Sequence, residues 1–204
     1  MAQGERGKEA AMLIVMEETE MRGKKPDCVN LTNGTFIAGG SIRRWFTGEP
    51  QKSDIDIFGS ESALVEFVKE NNLGNPISEN KNATTYKLNG KAIQCIKHFS
   101  GSVDDTLDCF DYKHCQFAWD GETIYTTLEA VVCALRRSLM VHKIQEGFEL
   151  DSLRRAFKYQ KQGYEPCLGC LKLIADSFRD VDEQQLQNQF EISPGGGKRV
   201  LRFD

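Results

Sequence analysis

Two aspartates one residue apart sit inside an apolar run, SDIDIFG at 53–59, and shortly before them comes a glycine pair with a serine, GGS at 39–41. On a strand, alternate side chains point to one face, so Asp54 and Asp56 share a face and Ile55 and Ile57 share the other. Two carboxylates so placed repel each other when buried, and one is forced to hold a proton. A divalent cation removes the conflict. Magnesium takes oxygen ligands, commonly one or two carboxylates plus phosphate oxygens and water, so the pair is a candidate seat for magnesium bridging to a triphosphate. The glycine bend supplies the complementary part. Gly39 and Gly40 let the backbone approach a bulky anion closely. Amides at the start of the following helix, with the Ser41 hydroxyl, can hold phosphate. Arg43 and Arg44 can add charge-assisted bonds to the same oxygens. A D-x-D alone also suits a solvated edge strand and a GGS alone a turn. Their order and closeness make the combination specific.

The elements that must position these groups can be read from pattern. Residues 8–21 have the spacing of an amphipathic first helix. TFIAGG predicts a strand ending at glycine, and SIRRWF a helix with Ser41 as N-cap. SESALVEFVKENN is an amphipathic helix capped at Ser60 or Ser62. Two strand-like runs flank Asn89-Gly90, a strong hairpin turn signal. SVDDTLDCF is a short helix that Asp104, Asp105 and Asp108 cap and line, and KHCQFAWDG is a strand closed by Asp120-Gly121. From residue 126 onward the spacing is helical, through TTLEAVVCALRRSLMVHKI, LDSLRRAFKYQKQGY and CLGCLKLIADSFRDVDEQQLQNQF. The reading is thus α+β: a mixed sheet flanked by helices over 1–126, a helical region over 127–192, and a loose tail over 193–204. The glycine run of that tail lacks the spacing and the hydroxyl of a phosphate-binding P-loop.

Totals narrow the function classes. The chain has 204 residues with 40% hydrophobic content, enough for one domain, or one with a small companion, and a real core. A net charge of −4 means that any nucleic acid must be held by a local basic patch rather than a general field. No apolar run is long enough to span a bilayer, and the short stretch at 10–16, flanked by acids, is a poor signal peptide. Seven cysteines, mostly in apolar contexts, read as buried cytosolic thiols rather than a disulfide framework. Cys167 and Cys170 form a lone C-x-x-C; a structural zinc would need two further ligands, and His114 and His142 are isolated in sequence. Phe117, Trp119 and Tyr125 are expected in the core.

GGSIRRWFTGEPQKSDIDIF resembles the signature of the polymerase-β-like nucleotidyltransferases, and especially the head of class II tRNA nucleotidyltransferases and bacterial poly(A) polymerases. That head reads G-G-x-V-R-D, a glycine a few residues on, then D-I-D. Gly39, Gly40, Ile42, Arg43, Gly48, Asp54, Ile55 and Asp56 match; Arg44 stands where the family has aspartate, and Glu49 where it often has a basic residue. The likeness continues more faintly. FDYKHCQFAWDG is similar to R-R-D-F-T-x-N-A-x-A-Y-D through Asp111, Ala118 and Asp120, and also to a phrase of short phage-encoded nucleotidyltransferase-domain proteins. LRRAFKYQKQGY is similar to the opening helix of the family's neck through Leu153, Arg154, Gly163 and Tyr164.

The resemblance implies transfer of a nucleoside monophosphate from a nucleoside triphosphate to an acceptor hydroxyl, an RNA 3′ end of tRNA-like kind being the expected acceptor, with release of pyrophosphate. Two magnesium ions about 3.5–4 Å apart would be held by Asp54 and Asp56. Gly39, Gly40 and Ser41 would cradle the triphosphate, steadied by Arg43 or Arg44. The family's third carboxylate lies on the second hairpin strand, and Gln94 occupies that place. Asp111 is a candidate substitute; its alternative is to shape the start of the next strand or pin an arginine. Arg154 falls in a D-x-x-R of the kind the family uses to read a base edge; with Arg155 it could equally be a solvated helix face, and Arg136 and Arg137 likewise. Two other readings stand beside this one: a degenerate nucleotide- or RNA-binding module, and a toxin-like enzyme that modifies protein or a small molecule. The expected setting is cytoplasmic, the host cytoplasm for a phage-encoded chain, with no membrane partner. The acceptor, the preferred base and the oligomeric state are not set by these residues.

Overall fold

A computed structural model describes residues 13–26, 29–52, 54–97 and 101–192, with side chains to 189. The expected tail over 193–204 lies outside them. In chain order the elements are β1 (Leu13–Met16), β2 (Thr35–Ala38), α1 (Gly40–Thr47), β3 (Ile55–Gly59) and α2 (Glu61–Glu70). Then come β4 (Ser78–Glu79), β5 (Ala83–Leu88), β6 (Lys91–Ile96), α3 (Val103–Asp108), β7 (Phe117–Trp119) and β8 (Ile124–Thr127). The remainder is α4 (Leu128–Arg136), β9 (Ser138–Leu139), α5 (Glu149–Gln160), β10 (Glu165–Pro166), α6 (Leu168–Ser177) and α7 (Glu183–Ile192). The protein is α+β, as its pattern predicts. Eight described strands form one mixed sheet in the order β1-β8-β7-β2-β3-β6-β5-β4, with helices flanking it and following it.

The central strands owe their place to burial. Ile37, Ile57 and Ile93, from β2, β3 and β6, are fully buried, and all three belong to one apolar cluster with Ile42, Trp45 and Phe46 of α1 and Phe67 of α2. The hairpin β5–β6 turns at Asn89 and Gly90, both at positive φ as a two-residue turn of matching twist requires. Ser60 caps α2 by accepting the Ala63 N–H, and Ser102 with Asp105 forms a capping box at α3. A second apolar cluster joins Tyr112 and Cys115 to Leu139, Tyr159, Tyr164, Cys170 and Ile174, and so seats α5 and α6 against the segment before β7.

Four local expectations are corrected. No helix runs through 13–21: Leu13–Met16 is a strand paired antiparallel to β8, and 18–20 is a single 3-10 turn. Edge pairing of a β-branched stretch overrides its helical spacing. Ser41 is not the N-cap of α1; that residue is Gly39, at φ 86° and ψ −137°, a conformation that favours glycine. The strand expected over 113–121 shortens to Phe117–Trp119, because Lys113–Cys115 forms a 3-10 turn. Ile124–Thr127 pairs with it as β8, so α4 begins at Leu128 behind Thr127, whose hydroxyl accepts the Ala130 N–H. α4 then stops at Arg137, which is at φ 51°, instead of running on to residue 144.

Ile57 lies at the middle of the sheet with no exposed surface. Ile57→Ala should lower the unfolding free energy by about 3 kcal/mol, read from urea denaturation with an unchanged m-value.

Candidate active site

One cleft of about 780 Å³ opens where the start of α1, the ends of β3 and β6, the segment before β7, and α5 converge. Its volume is within the range of small-molecule sites. Gly39 and Gly40 form one wall. The Gly39 N–H donates to the Phe117 carbonyl at 2.8 Å, and a Cβ at this position would stand 3.4 Å from the Phe110 ring. The bend is therefore tied to β7 and sits against Phe110.

Asp54 and Asp56 open onto this same cleft, while Ile55 and Ile57 are buried in the core. Asp56 is paired in register with Ala38 on one side and Gln94 on the other, since β3 and β6 run parallel. Gln94 thus stands beside the acid pair in the place of a third carboxylate, and its Nε2 donates to Asp54 Oδ2 at 3.2 Å. Burial, then the adjacent Asp54 charge, pushes the Asp56 carboxyl up to about 7, with Lys158 opposing both. Such a pair is what a divalent cation relieves. Among the described residues no group of three or more His, Cys, Asp and Glu side chains is set to hold a metal. A cation at Asp54 and Asp56 would complete its shell with substrate oxygens and water, the usual situation of magnesium.

The other expected residues are placed as follows. Arg43 lines the cleft yet is 1% exposed. Its NH2 donates to Gln162 Oε1 at 3.0 Å and lies 3.5 Å from Glu49 Oε2, and its guanidinium is 4.9 Å from the Tyr164 ring. Arg44 donates to the Pro50 carbonyl at 2.8 Å. Ser41 is buried, its Oγ has no hydrogen-bond partner, and it is not among the cleft-lining residues. Asp111 lines the cleft but is bound to Arg155, whose Nε lies 2.6 Å from Oδ2; burial raises its pKa and Arg155 opposes the shift. Arg154 is 3.6 Å from Asp151 and outside the cleft lining. Cys167 is exposed at the start of α6, accepting the Cys170 N–H, and Cys170 is buried.

Of one whole wall, pattern reading named only Arg155, with a solvated helix face as its alternative. Arg155, Lys158, Tyr159 and Gln162 face the cleft from α5 and its end, with Lys161 beside them. Their spacing of three, four and seven residues marks one helix face, and that signal was available in the sequence. Arg137, read in the sequence as either cleft-facing or a solvated helix face, enters the cleft because α4 ends on it, which aims Nη1 at the Gln162 carbonyl and Nη2 at Glu49. Seven basic side chains line the cleft against four acidic ones, the reverse of the chain's overall charge.

A mixed sheet with an acid pair at a strand start, a glycine bend opening the neighbouring helix, and helices after the sheet define a nucleotidyltransferase-like fold of the polymerase-β kind. Solved structures agree. The Thermotoga maritima CCA-adding enzyme complexed with tRNA is similar at TM-score 0.55 and 17% identity, over 78% of this chain and 42% of that one. A CCA-adding enzyme in complex with ATP gives 0.58 and 16% over the same shares. The Bacillus stearothermophilus CCA-adding enzyme in complex with CTP gives 0.53 and 20%, over 77% and 43%. The chain spans less than half the length of these enzymes. The chain belongs to the Gabija anti-defense 2 (Gad2) family, whose profile matches residues 11–137. No curated protein sequence matches it.

The raised Asp56 pKa makes a stability prediction. The unfolded chain releases this proton near pH 4, whereas the folded chain keeps it to about pH 7. The folded state therefore binds more protons in that window, and its stability falls as pH rises through it. In EDTA, Asp56→Asn should gain stability relative to the wild type between pH 4.5 and pH 8, by about 2 kcal/mol at the upper end, measured by urea denaturation at each pH.

Proposed function

We propose that the chain is a magnesium-dependent nucleotidyltransferase that moves a nucleoside monophosphate from a nucleoside triphosphate to an acceptor hydroxyl, most plainly an RNA 3′ end, releasing pyrophosphate. The observation that carries this reading is that Asp54, Asp56, Gly39 and Gly40 share one cleft with a ring of basic side chains. In this reading residues 1–126 form the catalytic head and 127–192 the neck. The Gly39-Gly40 bend lets the triphosphate approach closely, and the Gly40 amide at the start of α1 receives it. Lys52, Lys158 and Lys161 gather the phosphate charge from the other side. Arg43 acts from behind, holding α1 to the end of α5 through Gln162 and thereby fixing the width of the cleft. Arg155 and Tyr159 stand where a base and ribose would lie. Magnesium at Asp54 and Asp56 supplies neutralisation of charge developing on the phosphate oxygens. Most of the remaining rate comes from alignment of donor and acceptor.

As a member of a family named for anti-defence against Gabija, the protein would exercise this activity against that system, in the cytoplasm of a cell infected by a phage that encodes it. No helix of the described residues is long and apolar enough to cross a membrane. The tRNA and nucleotides bound by the similar CCA-adding enzymes support the choice of an RNA acceptor and a nucleotide donor.

A second reading is favoured by a specific observation: Gln94 stands in the third-acid place, and Asp111 is engaged by Arg155. A protein that binds nucleotide without transferring it would look the same in these respects. Incubation with each α-labelled nucleoside triphosphate, magnesium and total RNA separates the readings. Label on RNA that falls at least a hundredfold in Asp54→Ala is the expected result. Label on protein redirects the acceptor, and nucleotide bound with no label transferred leaves the binding module. Gly39→Ala, strained at φ 86°, should weaken nucleotide binding about tenfold or more while leaving the fold intact by circular dichroism.

A further inference from the structure

The cleft contains four acids, and two of them are already occupied. Asp111 is closed by Arg155 at 2.6 Å. Glu49 lies between Arg43 at 3.5 Å and Arg137 at 3.4 Å. That leaves Asp54 and Asp56, two negative charges in all. Two divalent ions would bring four positive charges into a cleft whose lining is already more basic than acidic, and a third carboxylate is what would hold the second ion there. The residue beside Asp56 in register is neutral, and it turns an amide donor rather than an anionic oxygen toward the pair. Lys158, exposed on α5, reaches the same cleft and is the cation whose field acts on Asp56.

We propose that this cleft takes one divalent ion with its nucleoside triphosphate, not two, and that the Lys158 ammonium supplies the positive charge a second ion would bring. The inference rests on the nucleotide reading above and revises the two-ion expectation. It assigns Gln94 and Lys158 a joint role: the neutral amide removes the seat of the second ion, and the lysine replaces its charge against the phosphates. An ammonium is a compact charge with three donors, suited to several phosphate oxygens at once.

The test is Mn2+ titration of the full chain, followed by the electron paramagnetic resonance signal of free Mn2+, with α,β-methylene ATP and then α,β-methylene CTP present. One Mn2+ per chain is expected for the wild type and two for Gln94→Glu. Lys158→Gln should bind the analogue about tenfold more weakly at a count of one, with affinity restored in Lys158→Arg. Lys158 is exposed, so these variants should fold. Two ions per wild-type chain, none, or analogue affinity unchanged in Lys158→Gln would each overturn the inference. Two ions with label still transferred to an acceptor sinks this inference and leaves the transferase standing. One ion with no transfer upholds it and removes catalysis. Failure of both analogues to bind overturns the nucleotide reading and the inference together.

Discussion

Two like charges on one face of a strand, in a partly enclosed cleft, set the terms for everything around them. Asp54 and Asp56 cannot turn away from each other, because Ile55 and Ile57 are committed to the core on the opposite face. Their repulsion, added to burial, is answered by what surrounds them: a neutral glutamine on the neighbouring strand, a lysine across the cleft, and a lining in which basic groups outnumber acidic ones. The sheet stores an electrostatic conflict that a cation or a proton resolves.

The far wall depends on a different set of contacts. Arg43 stacks against Tyr164 and donates to Gln162, so the helix that opens with the glycine bend is tied to the end of α5. His114, fully buried between Tyr159 and Tyr164 with ring centroids 4.3 Å from each, is held neutral by burial and the nearby Arg43 charge. Tyr112 adds a bond from its hydroxyl to the Ser152 carbonyl at 2.6 Å. These contacts cross between the sheet and the helices that follow it, and the cleft is the space they leave open.

The likeness to CCA-adding enzymes covers 77–78% of the chain, at identities that establish the fold alone. Two departures from the signature it resembles line the cleft. Arg44, which stands at the acid position of the tRNA nucleotidyltransferase signature the sequence resembles, donates to the Pro50 carbonyl, and Glu49, at a position often basic in that signature, draws Arg43 and Arg137 together. The chemistry of this cleft is therefore to be judged on its own residues.

Much was legible in the chain itself. D-I-D reads as two acids on one face because strand geometry has period two. Asn89-Gly90 reads as a hairpin because both residues tolerate positive φ, and Ser60 reads as a cap because its hydroxyl reaches a backbone amide one turn on. The acid pair, the glycine bend and the mixed fold follow from such local rules. What only tertiary structure decided are the matters of partnership between distant segments: that 13–16 is an edge strand because β8 offers it hydrogen bonds, that Asp111 faces Arg155, that Gln94 lies level with Asp56, and that Arg137 swings into the cleft. Local conformational preference is written in neighbouring residues, whereas pairing across the sheet and burial against a remote helix depend on which surfaces the whole chain brings together.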